Sequence, residues 1–313
     1  MRFATIAVSL ALAVSPLALA APAAAVPDAP DLTDYRSVPV APYLDGATNG
    51  GEVYFQTPDG LLCGIRPAPG LAGCDGKLPG GLPIGTNEVV LAADLSIRGL
   101  RATANPQFVK PTGAAAPILH AGEKIAFADF ECAVGDGPKV LCTKGTPAAQ
   151  WLVIAEEGTG IGPATADLPQ DFPDPNDYVV GDDPYIVGTG AKNLFPVFTA
   201  AGGLTCKMAM FSGGEIGCDT APPGILPGAR GADNEVYAQL PGPVGTRKAG
   251  SPPFATPSYP GHIRELPVGF RITTNGATCM STTDGVACFG AAGGPQQGFQ
   301  VTADATNTFG GTP

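Results

Sequence analysis

Histidine and tryptophan are nearly absent: the chain has two of the first, His120 and His262, and one of the second. No His-Glu-x-x-His and no Gly-x-Ser-x-Gly occurs, so the short signatures of metalloprotease and serine-hydrolase chemistry are missing. Close Cys-x-x-Cys pairs are also missing, which removes the usual structural zinc site. Only 14% of residues are charged, and acids outnumber bases to a net −11. An acidic chain is repelled by phosphate backbones, so nucleic acid is a poor partner. Beyond the N-terminus no apolar run is long enough to cross a bilayer. With 44 Gly and 34 Pro, long helices are disfavoured and turns must be dense.

The N-terminus is expected to be a secretory signal peptide over residues 1–25. Arg2 supplies the basic end and Phe3 to Val14 the apolar run; small residues allow cleavage after Ala20 or Ala25. No Cys precedes Cys63, so no lipid attachment to a Cys at the new N-terminus is expected. An exported chain with eight cysteines reads as a disulfide framework.

Those cysteines sit in a duplicated frame. Phe55 to Cys63 ends in Gly-Leu-x-Cys and returns as Phe198 to Cys206. Asp34-Tyr35 returns as Asp177-Tyr178, Pro42-Tyr43-Leu44 as Pro184-Tyr185-Ile186, and Gly73-Cys74-Asp75 as Gly217-Cys218-Asp219. Asn87-Glu88-Val89 returns as Asn234-Glu235-Val236, and Pro106 and Phe108 as Pro252 and Phe254. Leu119-x-x-Gly122-x-Lys124-Ile125 returns as Leu266-x-x-Gly269-x-Arg271-Ile272, and Val140-Leu141-Cys142 as Val286-Ala287-Cys288. The layout is module 1 over 34–155, an acidic Pro/Gly linker over 156–174, module 2 over 175–303 and a flexible tail over 304–313. Residues 26–33 are expected to fray.

Period-two patterns and Gly/Pro turns make each module mostly β. The predicted fold is all-β: two tandem disulfide-stapled β-sandwich or open-barrel modules related by internal duplication. A short helix near Glu88 to Leu100 is the one helical option. Each predicted hairpin brackets two cysteines. Local pairing, Cys63–Cys74, Cys132–Cys142, Cys206–Cys218 and Cys279–Cys288, is favoured over long-range pairing because opposed strand positions supply the short Cβ separation.

Candidate chemistry is thin. Asp129 with Glu131, Glu156 with Glu157, and Asp182 with Asp183 are the carboxylate pairs that a hydrolase would use. Asp171, Asp174, Asn176 and Asp177 crowd oxygens as calcium prefers, but without EF-hand spacing. The repeated polar residues (Asp75 with Asp219, Asn87-Glu88 with Asn234-Glu235, Lys124 with Arg271) read as turn formers and ion pairs holding the module. No catalytic, cofactor or metal residues are assigned.

The run Thr-Pro-Asp-Gly-x-x-Cys, Gly-Cys, Asn-Glu-Val, Leu-x-x-Gly-x-x-Ile and Val-x-Cys resembles a domain of unknown function in exported proteins of mycobacteria and related actinobacteria. The resemblance spans nearly all of the mature chain as two copies, and the second replaces Thr57-Pro58-Asp59 with Ala200-Ala201-Gly202. It implies an exported location and this fold, and no particular activity. The expected function is a non-enzymatic cell-envelope or extracellular binding protein, acting as a monomer on an unknown partner. The alternatives are an envelope-polymer hydrolase built on Asp129 and Glu131, or a protease inhibitor presenting an extended loop between Ile65 and Gly73.

Overall fold

The computed structural model describes residues 28–46, 51–164, 167–181, 186–188, 194–208, 214–220, 224–229, 231–250, 263–274, 276–291 and 294–311. The expected signal peptide, His262, Asp182, Asp183, Tyr185, Pro252 and Phe254 lie outside the described residues. Module 1 begins with the short β1 (Arg36–Ser37) and β2 (Leu44–Asp45), then β3 (Glu52–Gln56), β4 (Leu62–Arg66), β5 (Leu71–Asp75), β6 (Glu88–Ala92) and β7 (Gly99–Ala102). It closes with β8 (Glu123–Phe127), β9 (Phe130–Val134), β10 (Val140–Lys144), β11 (Gln150–Ala155) and β12 (Gly158–Gly162). Module 2 repeats the series: β13 (Val179–Gly181), β14 (Ile186–Gly188), β15 (Leu194–Ala200), β16 (Leu204–Met208), β17 (Glu215–Thr220), β18 (Glu235–Gln239) and β19 (Val244–Arg247). Then follow β20 (Phe270–Thr274), β21 (Ala277–Thr282), β22 (Gly285–Gly290), β23 (Gln297–Val301) and β24 (Thr306–Phe309). The described helical elements are three-residue 3-10 turns, so the helix considered over Glu88 to Leu100 is instead β6 and β7. Val89, Val90 and Leu91 are wholly buried, and β-branched residues buried on both faces suit a covered strand.

Each module is a sandwich, and its sheets do not close into a barrel. In module 1 the sheet β2-β3-β4-β5-β6-β7 faces β1-β8-β9-β10-β11-β12. Phe55, Val89 and Leu91 from one sheet share a core with Ile125, Leu152 and Ile154 from the other. Module 2 sets β14 to β19 against β13 and β20 to β24 in the same way.

All four six-stranded units are built on one row. Phe55, Cys63, Cys74 and Val89 are directly opposed on neighbouring strands, as are Ile125, Cys132, Cys142 and Leu152. Module 2 has Phe198, Cys206, Cys218 and Val236, then Ile272, Cys279, Cys288 and Phe299. The disulfides are the four local pairs, with Cα atoms 4.0 to 4.1 Å apart. That closeness marks narrow, non-hydrogen-bonded pairs, in which side chains approach most nearly. The twofold repeat of the sequence is therefore a fourfold repeat of cross-strand cystines.

The modules are one body of sheet. β13 pairs in parallel with β7 of module 1 (Val179 opposite Leu100) and with β20 of module 2 (Val179 opposite Phe270). A twelve-stranded sheet results, running from β2 to β24. The stretch expected as linker supplies β12, which pairs with β11, and Phe172, which packs edge-on against Phe289 at 5.9 Å. The stretch expected as flexible tail supplies β24, paired with β23. Residues 28–33, expected to fray, bring buried Leu32 onto the outer face of Leu141 and Ala133. In each case apolar side chains too sparse to show periodicity have a sheet face to cover.

The framework makes a quantitative claim. A closed loop of about ten residues is worth roughly 3 kcal/mol. Replacing both Cys132 and Cys142 by Ala is expected to lower the unfolding free energy by about that much, measured by urea melts. Peptide mapping without reduction should return only the four local pairs; a Cys63–Cys132 fragment would overturn the assignment.

Candidate functional site

The residues sequence reasoning weighed as reactive do not converge. Asp129 is exposed and lies 3.8 Å from Lys144, while Glu131 bonds Lys124 at 2.9 Å. His120 is exposed, and its backbone N–H donates to Glu123. The stretch from Ile65 to Gly73 is a tight turn closed by Gly70 N–H donating to the Pro67 carbonyl, not an extended loop. In the second copy the turn that lacks Thr-Pro-Asp forms through Gly202 at φ 78°, where glycine carries no steric penalty.

The repeated polar residues form a second cross-strand row, on the face away from the cystines. Asp75, Glu88 and Arg101 are opposed on β5, β6 and β7; Asp219, Glu235 and Arg247 are opposed on β17, β18 and β19. Arg101 meets Glu88 at 3.1 Å, and Arg247 bonds both Glu235 and Glu215. In module 1 the loop after β7 caps the acids: Phe108 N–H donates to Asp75 at 2.6 Å and Gln107 N–H to Glu88 at 2.8 Å. Phe108 lies on Gly73, where a Cβ would come within 2.6 Å of its ring. Asn87 clamps Thr103 through both its backbone groups, and Asn234 clamps Ala249 identically. These side chains are spent on the scaffold, as expected. Arg101 and Arg247 were not seen in the sequence because their stretch is broken by Pro and Gly.

Burial raises both acids of module 1, and the proton is held chiefly on Glu88, pushed up to about 8 by desolvation and by its bond to Asp75. Burial likewise raises Glu235, against the pull of Arg247.

A different duplicated feature opens to solvent. Asp28-Ala-Pro30-Asp31-Leu-Thr33-Asp34-Tyr35 matches Asp171-Phe-Pro173-Asp174-Pro-Asn176-Asp177-Tyr178 in register. Each segment is a strap laid over the outer face of its module's second sheet just before β1 or β13. Leu32 and Tyr35 anchor the first, Phe172 and Tyr178 the second. Asp31 and Asp174 each turn the strap by accepting the backbone N–H two residues on, at 2.9 Å. Beside each strap is a cleft. The first, about 740 Å³, is lined by Asp28, Asp31, Asp34 and Tyr35 with Gly122, Asp136 and Lys139. The second, about 320 Å³, is lined by Asp174, Asp177 and Tyr178 with Gly269, Ser281 and Thr282. Gly122 and Gly269 are equivalent, and each donates its N–H to the third strand of its sheet, to Val134 and Ser281. Asp171 lines a separate cavity with Phe172, so the acids considered for calcium are divided between two places. Among the described residues no group of three or more His, Cys, Asp or Glu is set to hold a metal.

The two clefts differ in charge. The Thr33 N–H holds Asp31, fully exposed, below the usual carboxylate range. Asp174 is raised by burial while Arg98 and Arg271 oppose that shift. Desolvation and the neighbouring Asp174 push Asp177 up to about 6.

The acid row predicts a pH response. Glu88 has its folded-state value raised, so its contribution is fully present below about 4.5 and is lost as pH rises through about 8. Thermal melts of Glu88→Gln and the parent should lie closest near pH 5, and the parent should lose stability relative to the variant up to pH 9. A constant gap across that range would overturn the shared-proton assignment. No known family, curated protein or solved structure matches the chain, so the family resemblance rests on the motifs alone.

Proposed function

We propose that this chain is an exported, non-enzymatic binding protein of the cell envelope or extracellular space, and that the strap clefts are its binding sites. The observation that carries this is the same cleft, built from the same eight-residue segment, at matching places in both modules. Four disulfides, with no described helix long and apolar enough to cross a membrane, are consistent with an extracellular setting. The repeated buried carboxylates face arginines and backbone N–H groups of the protein itself, so duplication has preserved a frame and a cleft rather than a reacting pair. The module 1 cleft is the larger and carries four carboxylates against one lysine, which favours a cationic ligand.

The test is capture. Oxidised mature protein, immobilised, is exposed to envelope fractions and culture filtrate of the producing organism. The parent should retain a component that the triple variant Asp28→Asn, Asp31→Asn, Asp34→Asn does not. Equal retention by both, or chemical conversion of the retained component, would overturn the proposal.

A further inference from the structure

The joint between the modules shows what a strap and its following strand can receive. β13 is paired on both sides, and its outer neighbour is β7. Just before β7 stands Arg98, whose guanidinium donates to the Pro163 carbonyl at 2.8 Å; Asn176 of the strap donates to the same oxygen at 3.2 Å. That shared oxygen sets Arg98 beside Asn176, whose backbone N–H donates to Asp174 of the strap at 2.9 Å, so the arginine's charge acts on that aspartate. Module 1 thus docks on module 2 as an extended segment that runs parallel to β13 and sets an arginine against the strap's second aspartate.

Module 1 has the same receiving parts. β1 pairs in parallel with β8 in the register that β13 keeps with β20, Arg36 opposite Glu123 as Val179 is opposite Phe270. Arg36 and Val38 donate their N–H groups to β8-side carbonyls, so Ser37, between them, turns its N–H and carbonyl outward. Among the described residues β1 ends its sheet. Asp31 stands where Asp174 stands, and Lys124 takes the place of Arg271 behind the strap, bonding the Leu32 carbonyl at 2.9 Å. Among the described residues no strand with a counterpart of Arg98 lies on the outer side of β1.

We infer that the outer side of β1, with the cleft beside it, is a docking site for an extended segment of another protein that adds parallel to β1 and carries an arginine or lysine against Asp31. This rests on the binding reading and gives it a ligand class. Strand addition supplies backbone hydrogen bonds, and the acid supplies selection for a cation. A second copy of this chain is the poorer occupant. Its corresponding edge, β19, has Val244 where β7 is preceded by Arg98, since Val244 is opposite Ala238 as Arg247 is opposite Glu235. The polar pair Arg36-Ser37 replaces Val179-Val180 of the permanent joint, which suits a partner that comes and goes.

The probe is a labelled synthetic peptide with the sequence of residues 95–103, titrated against the full oxidised protein by fluorescence anisotropy. Binding is expected to weaken at least tenfold with Asp31→Asn in the protein, with Ser37→Pro, and with Arg98→Ala in the peptide, and to weaken with salt. Melts and disulfide maps establish that the variants fold. A peptide N-methylated at alternate residues blocks strand addition without altering the protein, and it too should fail to bind. Equal binding of the Arg98→Ala peptide, or sensitivity to Asp31→Asn without sensitivity to N-methylation, would overturn the inference. So would sedimentation showing that the protein pairs with itself through β1. If the peptide does not bind while envelope capture still depends on the strap aspartates, this inference falls and the binding reading stands; loss of that dependence removes both.

Discussion

Every six-stranded unit described in this protein grows outward from one pair of directly opposed cysteines. The pair takes the third and fourth strands of a six-stranded unit, and an apolar residue flanks it on each side, Phe55 and Val89 in the first unit. Because side chains alternate along a strand, fixing the cystine inward fixes the whole register: Asp75, Glu88 and Arg101, each one residue along from this row, must then face outward. A slip of one residue would put those charges into the core. The polar row, the Asn87 clamp and the Phe108 cover all follow from that single choice of face.

The joint at β13 explains why equal halves have unequal clefts. The strap of module 2 lies beneath module 1, so its aspartate is desolvated between Arg98 and Arg271. Arg271 is itself buried with its ordinary value pulled down by that burial, and it donates to the Arg98 carbonyl. The strap of module 1 has no such cover among the described residues, and its aspartate remains in water. One duplicated feature is thus partly covered by the joint in one copy, where a smaller cleft remains, and left open in the other.

The fold class, the disulfide pairing and the repeated core were legible in the sequence, because cysteine spacing around Gly turns and period-two patterns are local signals. The joint was not. β13 is three residues long, and nothing local marks Val179-Val180 as a strand buried between two modules rather than the end of a linker. The strap was half legible: Asp34-Tyr35 and Asp177-Tyr178 stood out, while the matching Asp28, Pro30 and Asp31 lay in a stretch whose composition resembles a frayed end. Arg101 and Arg247 lay among turns, where an offset shift of one residue hides a match.

The parallel seat of β13 also orders events in time. As the chain is made from its N-terminus, module 1 is complete in sequence before β13 exists, and it must wait with the edge of β7 uncovered. An uncovered strand edge bearing Leu100 is a template for pairing with another chain. The span of chain that follows β12 therefore acts as a timer: the sooner the strap and β13 arrive, the shorter the interval in which the half-made protein can join the wrong neighbour.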